Sequence, residues 1–200
     1  QTAYERSKFE AERLVRAWVR THRRPAVVFR PSGLLTRLAP YPGAPAHPLQ
    51  MVAEAGRACA RMFPGALRPG QPLTLRFGGR PGSTNLLPVE HAAYAMVEAV
   101  RRAGRPDGLR TYHVVNARNT PIRTVLEALG EHNGVPVRLA PGRPATAAEE
   151  ALHRALGMYL CWLGVDRRYD DTGLARLGLA CPPHLAIGHD DILAGLRHGT

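Results

Sequence analysis

Lysine occurs once in these 200 residues, at Lys8, although 27 basic residues face 16 acidic ones and the net charge is +11. Arginine carries the remaining positive charge, and the abundance of Ala, Gly and Pro beside it reads as compositional bias. Aromatic residues make up only 6% and do not interleave with the arginines, which are scattered from Arg13 through Arg37, Arg57, Arg80, Arg101, Arg118, Arg143 and Arg167 to Arg197. That pattern argues against a nucleic-acid surface. The three cysteines, Cys59, Cys161 and Cys181, are odd in number and far apart, so neither a disulfide framework nor a zinc site is expected and a reducing compartment is. No apolar run approaches the about 20 residues that span a bilayer, and no signal peptide is visible. A cytoplasmic protein without a membrane partner is the expectation. Gly-x-Gly-x-x-Gly is also missing. The nearest glycine cluster, Gly78-Gly79-Arg80-Pro81-Gly82, reads as a hairpin-like turn rather than a phosphate loop.

What is present begins at once. Tyr4 and Lys8 stand four residues apart, so a helix through Tyr4 to His22 sets a phenol and the sole ammonium on one face. A free phenol is a poor acid or base near neutrality, but a cation within a few ångströms favours the phenolate. Lys8 is then the activator and Tyr4 the proton relay. Phe9, Ala11, Leu14, Val15, Trp18 and Val19 supply the apolar side of this helix. After Pro25, Ala26-Val27-Val28-Phe29 reads as a buried strand, which Arg30-Pro31-Ser32-Gly33 ends as a turn.

Further along, prolines 40, 42, 45 and 48 define a loop, and Leu49 to Phe63 a helix. Leu73 to Phe77 is a half-exposed strand. Asn85 to Arg102 is a strand feeding a helix with core positions Val89, Ala92, Ala93, Met96, Val97 and Val100. Thr120-Pro121 reads as a capped helix start, and the helix ends near Glu131 to Gly134. Val135 to Leu139 is a strand, Thr146 to Gly164 a helix, and Asp171 the cap of a short helix carrying Leu174, Leu177 and Leu179. His184, His189, Asp190 and Asp191 read as solvated histidines and a helix start, not as metal ligands; no metal is expected.

Ala3-Tyr4-Glu5-Arg6-Ser7-Lys8-Phe9-Glu10-Ala11-Glu12 with Val28-Phe29-Arg30-Pro31-Ser32-Gly33 resembles the second half of an extended short-chain dehydrogenase/reductase. Within that epimerase/dehydratase superfamily it is similar to the thioester reductase and fatty acyl reductase subgroup. Asn85 to Ala93, Thr111 to Asn116 and Thr120 to Leu126 fit the same order of elements. The resemblance implies an α/β fold: the C-terminal part of a doubly wound, Rossmann-type parallel sheet with a small substrate-binding region, its N-terminal dinucleotide-binding half absent. Gln1 in place of Met fits such a piece, with the missing N-terminal half of the same protein as its partner. The implied divisions are 1–33 (catalytic helix and following strand), 34–84 (substrate cover), 85–134 (returning Rossmann elements) and 135–200 (substrate-binding region).

The resemblance further implies NAD or NADP as cofactor, with NADP somewhat favoured. Tyr4 and Lys8 are then catalytic and also touch the cofactor, and Arg30, Pro31, Ser32 and Gly33 line its nicotinamide end. Leu34, Leu35, Met51, Phe77, Tyr159 and Trp162 are the implied substrate contacts. The implied biosynthetic activity is reduction of a carbonyl, aldehyde or acyl thioester, free or carried on a protein, or oxidation of the corresponding alcohol. A redox-neutral epimerase or dehydratase, a noncatalytic cofactor-binding protein and a homodimer stay open.

Overall fold

The computed structural model describes residues 3–36, 38, 48–62, 72–104, 107–160 and 163–197. Helix α1, Ala3–His22, opens with Glu5 in its first turn and closes on Arg20 and His22, charges that suit the helix dipole at each end. Strand β1, Ala26–Pro31, follows, and β2, Gly33–Leu35, comes after a single residue. Next are α2 (Pro48–Met62), β3 (Leu73–Phe77), β4 (Ser83–Thr84), β5 (Leu86–Pro88) and α3 (Val89–Arg102). Then β6 (Leu109–Val114), β7 (Thr120–Pro121), α4 (Ile122–His132), β8 (Val137–Pro141) and α5 (Ala147–Leu160) lead to α6 (Thr172–Ala175), a 3₁₀ turn at Pro183–Leu185, and α7 (His189–Arg197).

The strands pair in twos among the described residues: β1 with β6, β2 with β5 and β3 with β8, all parallel, and β4 with β7 antiparallel. Parallel pairing requires long crossovers, and helices supply them here. Adjacent residues of a strand point to opposite faces. In β5, Leu86 therefore joins a core with Leu35, Leu75, Ile122, Val125, Leu129 and Ile192, while Leu87 joins a second with Ala92, Ala95, Tyr112, Val114, Leu174 and Leu179. Leu34 and Leu35 divide between the two cores in the same way.

Several expectations change. Arg30 to Gly33 is not a turn: β1 continues through Pro31 and β2 starts at Gly33, so the chain runs on while exchanging one neighbour, β6, for another, β5. The cluster Gly78 to Gly82 makes no hairpin, because β3 pairs with distant β8 and β4 with β7. Thr120 and Pro121 form β7, and α4 starts at Ile122 without a side-chain cap; the Thr120 hydroxyl donates instead to the Ile187 carbonyl at 2.9 Å. Asp171 sits at the N-cap of α6 without capping it, and the Thr172 amide donates to Asp170 Oδ1 at 2.9 Å. In α3 the buried positions are Ala92, Ala95 and Ala99, small side chains that let the helix lie close to the sheet, while Ala93, Val97 and Val100 are exposed. In α1 only Val19 is buried, while Phe9, Leu14 and Trp18 stay exposed. The Pro-rich loop expected between Thr36 and Pro48 lies mostly outside the described residues.

Candidate functional site

Helical spacing does bring Tyr4 and Lys8 together. The Lys8 ammonium lies 5.3 Å from the centroid of the Tyr4 ring, and both side chains are exposed, Tyr4 by 68%. That distance is within cation–π range. Tyr4 accepts a hydrogen bond at its backbone carbonyl from the Ser7 hydroxyl, 2.7 Å.

At the carboxyl end of β1 the strand neighbours change. Ligands of open parallel sheets bind where strand connections diverge at those ends. Ser32 occupies this junction: its amide donates to the Val114 carbonyl at 3.0 Å, while its hydroxyl is buried with no hydrogen-bond partner. An orphaned buried hydroxyl is uncommon in folded proteins, so Ser32 is a side chain that could take a ligand's polar group. Gly33 beside it is fixed by packing, since a Cβ would come within 2.9 Å of Leu86 Cδ2 and 3.3 Å of the Asn85 carbonyl.

Arg30 does not line this junction as expected. Its guanidinium is taken by Glu12 of α1 and by His113 of β6, with Nη1 3.3 Å from His113 Nε2. His113 in turn donates from Nδ1 to the Asp170 carbonyl at 3.0 Å. The Arg30 pair is the main reason the Glu12 carboxyl is held below its ordinary range. Pro31 is the exposed last residue of β1.

A cavity of about 510 Å³ opens at the carboxyl ends of β2 and β5, lined by Leu35, Thr36, Pro88, Glu90, His184 and Asp191 among others. Thr36 donates to Glu90 Oε1, and the Gly188 amide to Asp191 Oδ2 at 2.8 Å. Of the expected substrate contacts only Leu35 is in this lining. Leu34 and Phe77 pack against the cores and Met51 is exposed on α2. The Tyr159 side chain and Trp162 lie outside the described residues. Glu90, His184 and Asp191 had no sequence signal tying them to one cavity, since 94 residues separate Glu90 from His184.

A buried amide network nearby was equally invisible in the sequence. Asn85 Nδ2 donates to the Asn116 carbonyl (2.9 Å) and to Asn119 Oδ1 (2.8 Å), the Asn116 amide donates back to Asn85 Oδ1 (2.8 Å), and Asn116 Nδ2 reaches the Leu185 carbonyl. It ties the start of β5 to the end of β6. Among the described residues no cluster of His, Cys, Asp or Glu could hold a metal ion, and no helix is long and apolar enough to cross a membrane.

No curated protein matches the chain. Residues 1–96 match the NAD-binding family described as Male sterility protein. This corrects the expectation that the chain is a C-terminal part lacking its dinucleotide-binding half, and with it the expected missing N-terminal partner: the NAD-binding family's sequence lies in this chain's own first half. The expectation rested in part on the missing Gly-x-Gly-x-x-Gly loop, and residues 1–96 match the family without one. Among solved structures, the chain is similar to RMD from Pseudomonas aeruginosa complexed with NADPH, at 21% identity and TM-score 0.53, over 98% of this chain and 54% of that one. It is similar to dTDP-glucose 4,6-dehydratase from Bacillus anthracis in complex with NAD (14%, TM-score 0.56, 99% and 52%). It is likewise similar to UDP-glucuronic acid 4-epimerase from Bacillus cereus in complex with UDP-glucuronic acid and NAD (13%, TM-score 0.56, 98% and 51%). The chain spans about half the length of these structures. Its helices, parallel strand pairs and ligand-side strand junction are thus those of the epimerase and dehydratase fold, with an NAD-binding family match over residues 1–96.

Proposed function

We propose that this protein is an NAD(P)-dependent enzyme of the extended short-chain dehydrogenase/reductase type, acting at an alcohol or carbonyl carbon in a redox-neutral epimerisation or dehydration. The observation that carries the reading is the Tyr4–Lys8 pair on one face of α1, with the ammonium 5.3 Å from the ring centroid. Support for the redox-neutral form comes from the fold shared with a 4,6-dehydratase and a 4-epimerase.

Tyr4 is the proton relay. Acting as the base, its phenol oxygen accepts the hydroxyl proton of the substrate as the carbinol C–H bond breaks and a carbonyl forms, with the Lys8 ammonium beside the ring. A bound nicotinamide supplies the hydride acceptor and, on return, the donor. In the reverse direction Tyr4 gives the proton back to the oxygen, so that a cycle consumes no net oxidant. Lys8 and the Ser32 hydroxyl are the side chains that would hold the cofactor, Ser32 because it is buried without a partner. Arg30 acts from behind, fixing α1 to β1 through Glu12.

A second reading, net reduction of a carbonyl, aldehyde or acyl thioester, is favoured by the run Ala3 to Glu12 and by Val28 to Gly33, where the sequence resembles the thioester and fatty acyl reductases. One experiment separates the two. The protein is incubated with NAD or NADPH and a panel of nucleotide sugars, aldehydes and acyl thioesters, and nicotinamide absorbance is followed beside product analysis. Product without net absorbance change supports the redox-neutral reading, stoichiometric loss of NADPH the reductive one, and failure to bind either dinucleotide ends both.

A further inference from the structure

A second cavity lies away from the Tyr4–Lys8 face and from the strand junction. It has a volume of about 250 Å³ and is walled by α2, the β3–β8 pair and the end of α4. We propose that it is a binding site for a small aliphatic carboxylate, whose tail lies among Leu73, Leu75, Leu126 and Leu129 and whose head group meets Arg57 and Arg61.

The walls and the rim differ in chemistry, which is the pattern an amphipathic anion needs. Leucines from β3 and α4, with Val52 of α2 and Val137 of β8, make the interior apolar, and an apolar cavity of ~150 Å³ already admits benzene. About 250 Å³ leaves room for a chain of a few more carbons. Arg57 and Arg61 stand four apart on α2, hence on one helix face, and both belong to the lining. Neither has an ion-pair partner among the described residues. Arg57 is half-buried, and a partly desolvated guanidinium without a counter-charge gains more from a carboxylate than an exposed one does. The positive field at this end is felt by its neighbours. His132 is held below the ordinary histidine range by burial first, then by Arg57 and Arg197.

Asn133 also belongs to the lining. Its Nδ2 donates to the Ala53 carbonyl at 3.1 Å, and its Oδ1 is buried with no partner. That oxygen accepts only from a donor, so within this lining the arginines are the groups that receive the anionic end.

The test is calorimetric titration of the protein with sodium octanoate, sodium butyrate and octan-1-ol, repeated on Arg57→Gln/Arg61→Gln and on Val52→Phe, which narrows the cavity from α2. Octanoate should bind saturably and more tightly than either octanol or butyrate. The double arginine variant should weaken octanoate by roughly tenfold or more while leaving octanol unchanged, and Val52→Phe should weaken both. Equal affinity for octanoate and octanol in the unaltered protein overturns the proposal, and so does octanoate binding that survives the arginine substitutions or no binding at all. The octanoate–octanol comparison needs no variant, so a folding defect in either mutant leaves the test decisive.

Discussion

Arg30 lies across Glu12, its Nε donating to Oε2 at 2.9 Å and its Nη2 to Oε1 at 2.7 Å, so that one carboxylate from α1 takes two parallel bonds from β1. Arg16 adds a further bond from the next turn of the helix, Nη2 to Oε1 at 2.6 Å. Arg30 thereby fixes the rotation of α1, and with it the direction in which Tyr4 and Lys8 face, two and one turns earlier.

The pair should make helix attachment depend on pH. Glu12 is held below its ordinary value of 4.5, chiefly by Arg30. A carboxyl depressed in the folded state stabilises the fold above its unfolded value and loses that contribution as pH falls through the lowered one. Glu12→Gln should therefore lower the melting temperature at pH 7, by the equivalent of about 1 kcal/mol for a solvent-edge pair. The gap from the unaltered protein should close as pH is taken from 5 toward 3. A gap that stays constant over that range would mean that packing, not charge, holds the helix.

Removing the Asn85 side chain leaves the buried Asn116 amide without its acceptor and the Asn119 side-chain oxygen without its donor. Each buried group left unsatisfied costs about 1–3 kcal/mol. Asn85→Ala should cost about 3 kcal/mol in urea unfolding, and Asn85→Asp, which keeps the acceptor but adds a buried charge, should not restore it.

Gly82 is a packing glycine. Its amide donates to the Leu163 carbonyl at 2.7 Å, its carbonyl accepts from the Ile122 amide at 3.1 Å, and a Cβ here would overlap the Val165 carbonyl group. Backbone cannot move aside as a side chain does, so Gly82→Ala should destabilise by about 3 kcal/mol. Gly78, with nothing within 4 Å of its Cβ position, should accept alanine with little change; equal melting temperatures for the two variants would contradict this packing account.

Tyr4→Phe tests the relay directly. At 68% exposure the hydroxyl contributes little to packing, so the fold should be unchanged. Turnover should fall by about 10²–10⁴, the usual worth of a positioned acid–base group, with dinucleotide affinity kept. Unaltered turnover would remove Tyr4 from the mechanism.

Local rules were legible. The i, i+4 spacing of Tyr4 and Lys8, the valines of β1, the alternation in Leu73 to Phe77 and the helix end near Glu131 to Gly134 all depend on residues within a few positions of one another, and each forms the predicted element. Where two local signals competed, distant partners chose between them. Thr120-Pro121 carries a sound helix-start signal, but the antiparallel partner Ser83-Thr84 and the Ile187 carbonyl claim those residues for a strand.

Sequence by itself determined which residues could be helix, strand or turn and which side chains bear groups able to exchange a proton, because periodicity and functional groups are properties of neighbours along the chain. Tertiary structure alone decided that Leu86 and Leu87 serve two different cores, that Arg30 faces Glu12 instead of a ligand, and that the Ser32 hydroxyl is left buried without a partner. Those outcomes depend on which strand lies beside β1, β2 and β5, and parallel pairing joins residues more than 50 positions apart.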